Sequence, residues 1–243
     1  MTFVHDDPAF RDLLRITATS CALSPGLVEK DYWVTHALWA LHAQGFEIWF
    51  KGGTSLSKGF GLIERFSEDL DLKVNPGTTQ LPAITSWRSE GKTAVAQRRA
   101  SFEALGTMLR IPGARVEIDS PPRDATWRNV ELRVAYPGMF LADLRDILRP
   151  FVLLEIGNAR VKPAVERDLT SFVHRELERI GRLAEYTDNR PRRVRCLHPL
   201  VTLLEKLDAI SRRAPHGGAD PAVFARHFED AARIIQAADE LPV

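Results

Sequence analysis

Lys51-Gly52-Gly53-Thr54-Ser55-Leu56-Ser57-Lys58, followed by Ser67-Glu68-Asp69-Leu70-Asp71-Leu72, decides how this chain reads. Phe46 to Phe50 alternates like a strand, Gly52-Gly53 breaks it, and Thr54 to Leu62 reads as a helix. A Gly-Gly turn at a helix start lets the backbone approach a phosphate, and the free N–H groups there favour an anion. Thr54, Ser55 and Ser57 add hydroxyls, and Lys58 adds a cation. Leu70 to Val74 is a second strand. Side chains alternate along it, so Asp69 and Asp71 share one face and Leu70 and Leu72 the other. Two carboxylates this close repel unless a cation lies between them. Together the two stretches suggest a site for a nucleoside triphosphate and a divalent metal. The spacing is not that of a P-loop, because Ser57 precedes Lys58 and Gly59 follows it.

Around this centre the chain is mixed. Residues 8–20 read as a helix, and Ser24-Pro25 caps a long, largely buried helix from Leu27 to Gln44. Asn75-Pro76-Gly77 marks a turn, and Ser86 to Leu109 reads as a helix. Val116 to Ile118, Val130 to Tyr136 and Phe151 to Ile156 read as strands. After about residue 160, Arg167 to Leu183 and Pro199 to Arg213 carry helical patterns. Pro215 to Gly218 is a loop, and Asp220-Pro221 opens a last helix to about Asp239. The expected fold is α/β (α+β): a mixed sheet flanked by helices in residues 1–160, and a helical C-terminal region in residues 161–243 that completes the active site. Net charge is +1 over 243 residues, so no global basic field points to nucleic acid. The two cysteines, Cys21 and Cys196, form no CxxC and read as two buried thiols. No run reaches ~18 apolar residues and no secretory signal opens the chain, so a cytoplasmic protein without membrane spans is expected.

Gly-Gly followed by Asp-x-Asp is similar to the polymerase-β-type nucleotidyltransferases. More narrowly, Phe50 to Lys58 with Ile63 to Leu72 resembles the AbiEii/AbiGii toxin family, which includes the Men-type toxins. Val28-Glu29-Lys30-Asp31-Tyr32-Trp33-Val34, His198 to Ala209 and Ala225-Arg226-His227-Phe228-Glu229-Asp230 match further segments of that family in order. The resemblance implies that Asp69 and Asp71 bind catalytic metal, Mg²⁺ or Mn²⁺. Gly52, Gly53, Thr54, Ser55 and Lys58 would hold the NTP. Lys206 and Asp230 would complete the site. It implies transfer of NMP to the tRNA 3′ end, a cognate antitoxin as partner, and Ser67 as a phosphorylated off-switch. Other acceptors (a protein or a small molecule) and a non-catalytic nucleotide- or RNA-binding relative are the alternatives. The fifteen residues from Thr54 to Glu68 form a gap that fits this toxin branch.

Periodicity bears on the late residues independently. Leu200, Leu203, Leu204, Leu207 and Ile210 form an apolar stripe with Lys206 at its edge. Phe224, Phe228, Ala231 and Ile235 mark the core face of the last helix, with His227, Asp230 and Ile234 on its flank. An Asp230–Lys206 pairing across helices follows. Glu155 is the one acid in an apolar strand, which is costly unless it is paired or bound to a cation, so it is the candidate third metal carboxylate. Arg190-Pro191-Arg192-Arg193-Val194-Arg195 is the most basic run and, with Arg212-Arg213, a candidate hold on an RNA backbone.

Overall fold

The computed structural model describes residues 1–67, 69–118, 125–145, 148–213 and 221–242, with backbone alone for 213 and 221–224. The expected loop Pro215 to Gly218 and the side chain of Phe224 lie outside the described residues. Two helices open the chain, α1 (Phe10–Cys21) and α2 (Pro25–Ala43). Then come β1 (Glu47–Lys51), α3 (Gly52–Phe60), β2 (Asp69–Asn75), α4 (Lys92–Met108), β3 (Arg115–Ile118), β4 (Asn129–Ala135) and β5 (Val152–Gly157). They are followed by β6 (Ala164–Arg167), α5 (Phe172–Arg179), β7 (Val194–Leu197), α6 (Pro199–Arg213) and α7 (Pro221–Gln236). Among the described residues no helix is long and apolar enough to cross a membrane.

The strands form one seven-stranded mixed sheet in the order β3-β4-β5-β2-β1-β7-β6. β2 runs antiparallel to β1 and parallel to β5, and β1 runs parallel to β7. One face carries Ile48, Phe50, Leu70, Leu72, Leu132, Leu154 and Ile156, all buried in the core beneath α2 and α4. The register sets Phe50 opposite Leu72 and Lys51 opposite Asp71. Asp69 and Asp71 therefore point away from the core, as the alternation in sequence requires.

Helix α2 is enclosed almost all round, which explains its lack of a polar face. Ser24 caps it, accepting from the Leu27 N–H, with Pro25 at the first position. Three consecutive charged residues on it are engaged inside the fold. Glu29 accepts from the N–H groups of Met139 and Phe140, Lys30 donates to the Arg149 carbonyl, and Asp31 pairs with Lys58. These contacts tie α2 to the connection between β4 and β5 and to α3.

Several elements depart from expectation. β6 ends at Arg167, where the expected helix begins and α5 starts only at Phe172, and β7 takes up Val194 and Arg195 of the basic run. Both strands have four residues, too few for a period to emerge among the arginines. The sheet thus draws strands from both sides of residue 160. Helix α4 starts at Lys92 rather than Ser86. The fully buried Arg98 takes the carbonyls of Ser86 and Ser89, so these do not enter a helix ladder. Cys21 is exposed, and only Cys196 is buried.

Beneath α2, Asn189 joins three elements. Its Nδ2 donates to His36 Nδ1 at 2.7 Å and to the Tyr32 hydroxyl at 3.1 Å. Its Oδ1 accepts from His174 Nε2 at 2.7 Å, while Ser171 Oγ lies 2.7 Å from His174 Nδ1. His36 Nε2 donates to the Pro112 carbonyl. Every ring nitrogen of His36 and His174 is committed in the neutral form. Burial pushes His36 down to about 3 and His174 down to about 4. The unfolded chain takes up these protons near pH 6.5 and the folded chain does not. Stability is therefore full above pH ~6.5 and falls as pH drops, by about 1.4 kcal/mol per pH unit for each histidine. Urea unfolding between pH 7 and pH 4.5 should show this slope, and His174→Gln should reduce it. An unchanged slope in that variant would contradict the assignment.

Candidate active site

The site is built at the corner where β1 turns into α3. Gly52 opens the helix at φ +73°, a backbone region that side chains rarely adopt. A Cβ placed there would fall 1.9 Å from Asp71 Oδ2. The corner lies directly on that carboxylate, and only glycine permits it. A Cβ on Gly53 would meet Arg65 Nη2 and Ser67 Oγ, each at 3.0 Å. Thr54 is buried. Its hydroxyl donates to the Asp69 carbonyl at 2.6 Å and lies 2.8 Å from Ser67 Oγ. Thr54 thus ties the start of α3 to the start of β2, and Ser67 lies beside both.

Asp69 and Asp71 line one face and are about one-third exposed. Arg149 Nη1 is 2.8 Å from Asp69 Oδ1, and Lys51 Nζ is 3.8 Å from Asp71 Oδ1. Across the sheet, Asp71 stands opposite Glu155 and Glu155 opposite Glu131. The three carboxylates form a row over β2, β5 and β4. Burial, then the negative charges of Asp71, Asp69 and Glu131, push the Glu155 carboxyl up to about 7. Among the described residues no group of three ligands converges on one metal-holding point. An oxygen-only donor set of one or two carboxylates, completed by phosphate and water, nevertheless fits Mg²⁺ or Mn²⁺. The cations already seated on Asp69 and Asp71 mark where positive charge is favoured.

Asp230 is fully buried on α7 and serves as a hub. Arg65 grips both of its oxygens, through Nε at 3.1 Å and Nη2 at 2.6 Å, and Lys206 Nζ lies at 2.5 Å. The expected Asp230–Lys206 pair is present, but both partners are more enclosed than helix-border positions suggest. The helix faces are correspondingly turned. Leu200, Leu204, Leu207, Phe228 and Ile235 are exposed, while Val201, Thr202, Ala231 and Ile234 face inward beside Asp230. A buried carboxylate must keep its cations, and exposing leucines costs less than stranding that charge. His227 is half-buried on the same flank as Asp230.

Two expected triphosphate ligands point elsewhere. The Ser55 hydroxyl is buried against the Cys196 thiol, which burial pushes up to about 11. Lys58 Nζ lies 2.5 Å from Asp31 Oδ1 and donates to Thr35 Oγ1 and the Thr170 carbonyl, with the pair at most 10% exposed. It pins α3 to α2 rather than facing Asp69 and Asp71. Lys58→Met strands the Asp31 charge and should cost about 3–5 kcal/mol of stability, leaving nucleotide affinity per folded molecule intact. Denaturant unfolding with a nucleotide titration checks this. Unchanged stability with lost affinity would return Lys58 to the triphosphate.

The basic run is neutralised. Arg190 pairs with Asp188, Arg192 with Asp168, Arg193 with Glu166 and Arg195 with Glu47. Two site arginines escaped the sequence reading. Arg65 is marked only by its place four residues before Asp69, and Arg149 only by its place before the Pro150 that leads into β5.

A family model described as nucleotidyl transferase AbiEii toxin, type IV TA system, matches residues 36–242. That span takes in Gly52, Asp69, Asp71, Lys206 and Asp230, while the Val28 to Val34 segment lies before it. A crystal structure of JHP933 from Helicobacter pylori aligns over 90% of this chain and 69% of that one, at 16% identity and a TM-score of 0.47. No curated protein matches the chain.

Proposed function

The chain belongs to the AbiEii nucleotidyl transferase toxin family of type IV toxin–antitoxin systems, and we propose that it moves NMP from an NTP onto the 3′ end of tRNA. The observation that carries the reading is the contact between Gly52 and Asp71. A helix start bare of side chain is pressed onto a carboxylate that shares its face with a second one. The free N–H groups at the start of α3 suit a phosphate, and Asp69 and Asp71 suit a divalent cation on its other side.

Asp69 and Asp71 would hold Mg²⁺ or Mn²⁺, with Glu155 across from Asp71. When bound, the ion supplies Lewis-acid stabilisation of the charge that develops on the α-phosphate. The chain's own residues do the remaining work. Gly52 and Gly53 let the triphosphate approach the backbone. Thr54 keeps β2 in register with α3. Arg65, Asp230 and Lys206 hold the C-terminal helices against the corner. The family implies an antitoxin partner.

Incubation with each α-labelled NTP, Mg²⁺ and total tRNA tests the proposal. Label at the tRNA 3′ end is expected, and no label in any RNA would overturn the tRNA assignment. A second reading has a specific basis, because the acid-paired arginines of the run from Arg190 to Arg195 leave that stretch little charge for an RNA backbone. It takes a protein as acceptor, and label migrating with protein would favour it.

Ser67 is the proposed off-switch. Its Oγ adjoins Thr54 and the start of α3. A phosphate there adds charge of about −2 where the triphosphate would lie. Stoichiometric phosphorylation of Ser67 should abolish transfer and weaken NTP binding. Full activity in such a sample would refute the switch.

A further inference from the structure

We propose that Arg149 gates the carboxylate cleft: without nucleotide its guanidinium holds Asp69, and with nucleotide it is released onto the triphosphate as a divalent cation takes the carboxylate. The proposal rests on the reading of Asp69 as a cation ligand and deepens it.

Two arginine–carboxylate pairs flank the corner, and they differ in kind. Arg65 holds Asp230 through two hydrogen bonds at a carboxylate with no exposure. Opening that pair would strand a buried charge. Arg149 holds Asp69 at 2.8 Å with the two side chains 42% and 35% exposed. Exposed pairs of this sort are held weakly, and an incoming ion displaces them at little cost.

The anchoring of the Arg149 backbone locates the movement. Lys30, fully buried on α2, donates to the Arg149 carbonyl at 2.5 Å. Upstream, Glu29 accepts from the N–H groups of Met139 and Phe140, and Asp143 accepts from the Gly26 N–H. Downstream, β5 is locked between β2 and β4. The backbone is held at Arg149 itself and at β5, so the exchange asks for a rotation of one long side chain.

The position also suits the second half of the exchange. The Arg149 charge reaches Glu155 as well as Asp69, opposing the rise in the Glu155 carboxyl. One guanidinium thus offsets the carboxylates that a divalent cation would otherwise neutralise. Once freed it lies beside the proposed triphosphate, and a planar guanidinium fits two phosphate oxygens at once.

Mn²⁺ binding followed by electron paramagnetic resonance on the full chain tests the gate, with no nucleotide and with a non-hydrolysable NTP analogue. Without nucleotide, Arg149→Gln should bind Mn²⁺ about fivefold tighter than wild type. With Mn²⁺ present, it should bind the analogue about tenfold more weakly. Arg149→Lys keeps the charge and should return Mn²⁺ affinity to the wild-type value, which separates the gate from a folding defect. If Asp69→Asn weakens Mn²⁺ binding but Arg149→Gln matches wild type in both conditions, the carboxylate reading stands and the gate is wrong. If Asp69→Asn and wild type bind Mn²⁺ alike, the reading beneath the proposal fails and the proposal falls with it.

Discussion

Asp71→Asn should lower nucleotidyl transfer by about a thousandfold while leaving the protein folded. Asp71 lies under the Gly52 corner, opposite Lys51 on one side and Glu155 on the other. Asparagine keeps the shape and removes the charge. The side chain is about one-third exposed, and its ion pair with Lys51 is long, at 3.8 Å. Its neutralisation also relieves repulsion from Glu155 across the strand pair. Stability should therefore hold or rise slightly, in contrast to the activity. Initial rates with a saturating NTP, read beside urea midpoints, separate the two effects. A variant that retains a tenth of wild-type activity would remove Asp71 from the catalytic machinery. Equal loss of rate and stability would make it a folding residue.

Gly52→Ala should be nearly as damaging, for a different reason. The added methyl meets Asp71 Oδ2 at 1.9 Å, and the φ of +73° is strained for alanine. Strain of this kind costs about 1–3 kcal/mol, and a displaced catalytic carboxylate costs a further factor of about a hundred in rate. Gly53→Ala is the matched control. Its methyl would meet Arg65 Nη2 and Ser67 Oγ, each at 3.0 Å, a far milder crowding than at Gly52, and its φ lies outside the left-handed region. A loss of about tenfold or less is expected there. Initial rates and urea midpoints of the two variants decide the matter. If both retain the same activity, the Gly52–Asp71 contact is not what shapes the site.

The local part of this arrangement was legible in the residues. Gly52-Gly53 between an alternating strand and a helix, then Asp-Leu-Asp-Leu, is enough to place both carboxylates on one face. Ser24-Pro25 marked the start of α2 as directly. What could not be read was long-range pairing. Arg65 finds Asp230 and Arg149 finds Asp69 across distances in sequence that no period marks. Lys58 stands close to the glycines in sequence, which suits a triphosphate ligand, yet Asp31 on α2 claims it. The stripe from Leu200 to Leu207 misled because a buried ion cluster, not apolar area, decides which way α6 and α7 face. β7 holds one arginine of the basic run, Arg195, on a strand too short to show a period, and each arginine of the run carries an acidic partner.

The most direct test follows the fate of the phosphates. Wild type and Asp71→Asn are incubated with Mg²⁺, acceptor tRNA and one NTP carrying label at either the α or the γ position. α-Label should enter the acceptor, γ-label should leave as pyrophosphate, and the variant should do neither. Transfer of γ-label, or equal α-label transfer by wild type and variant, would contradict the proposed NMP transfer.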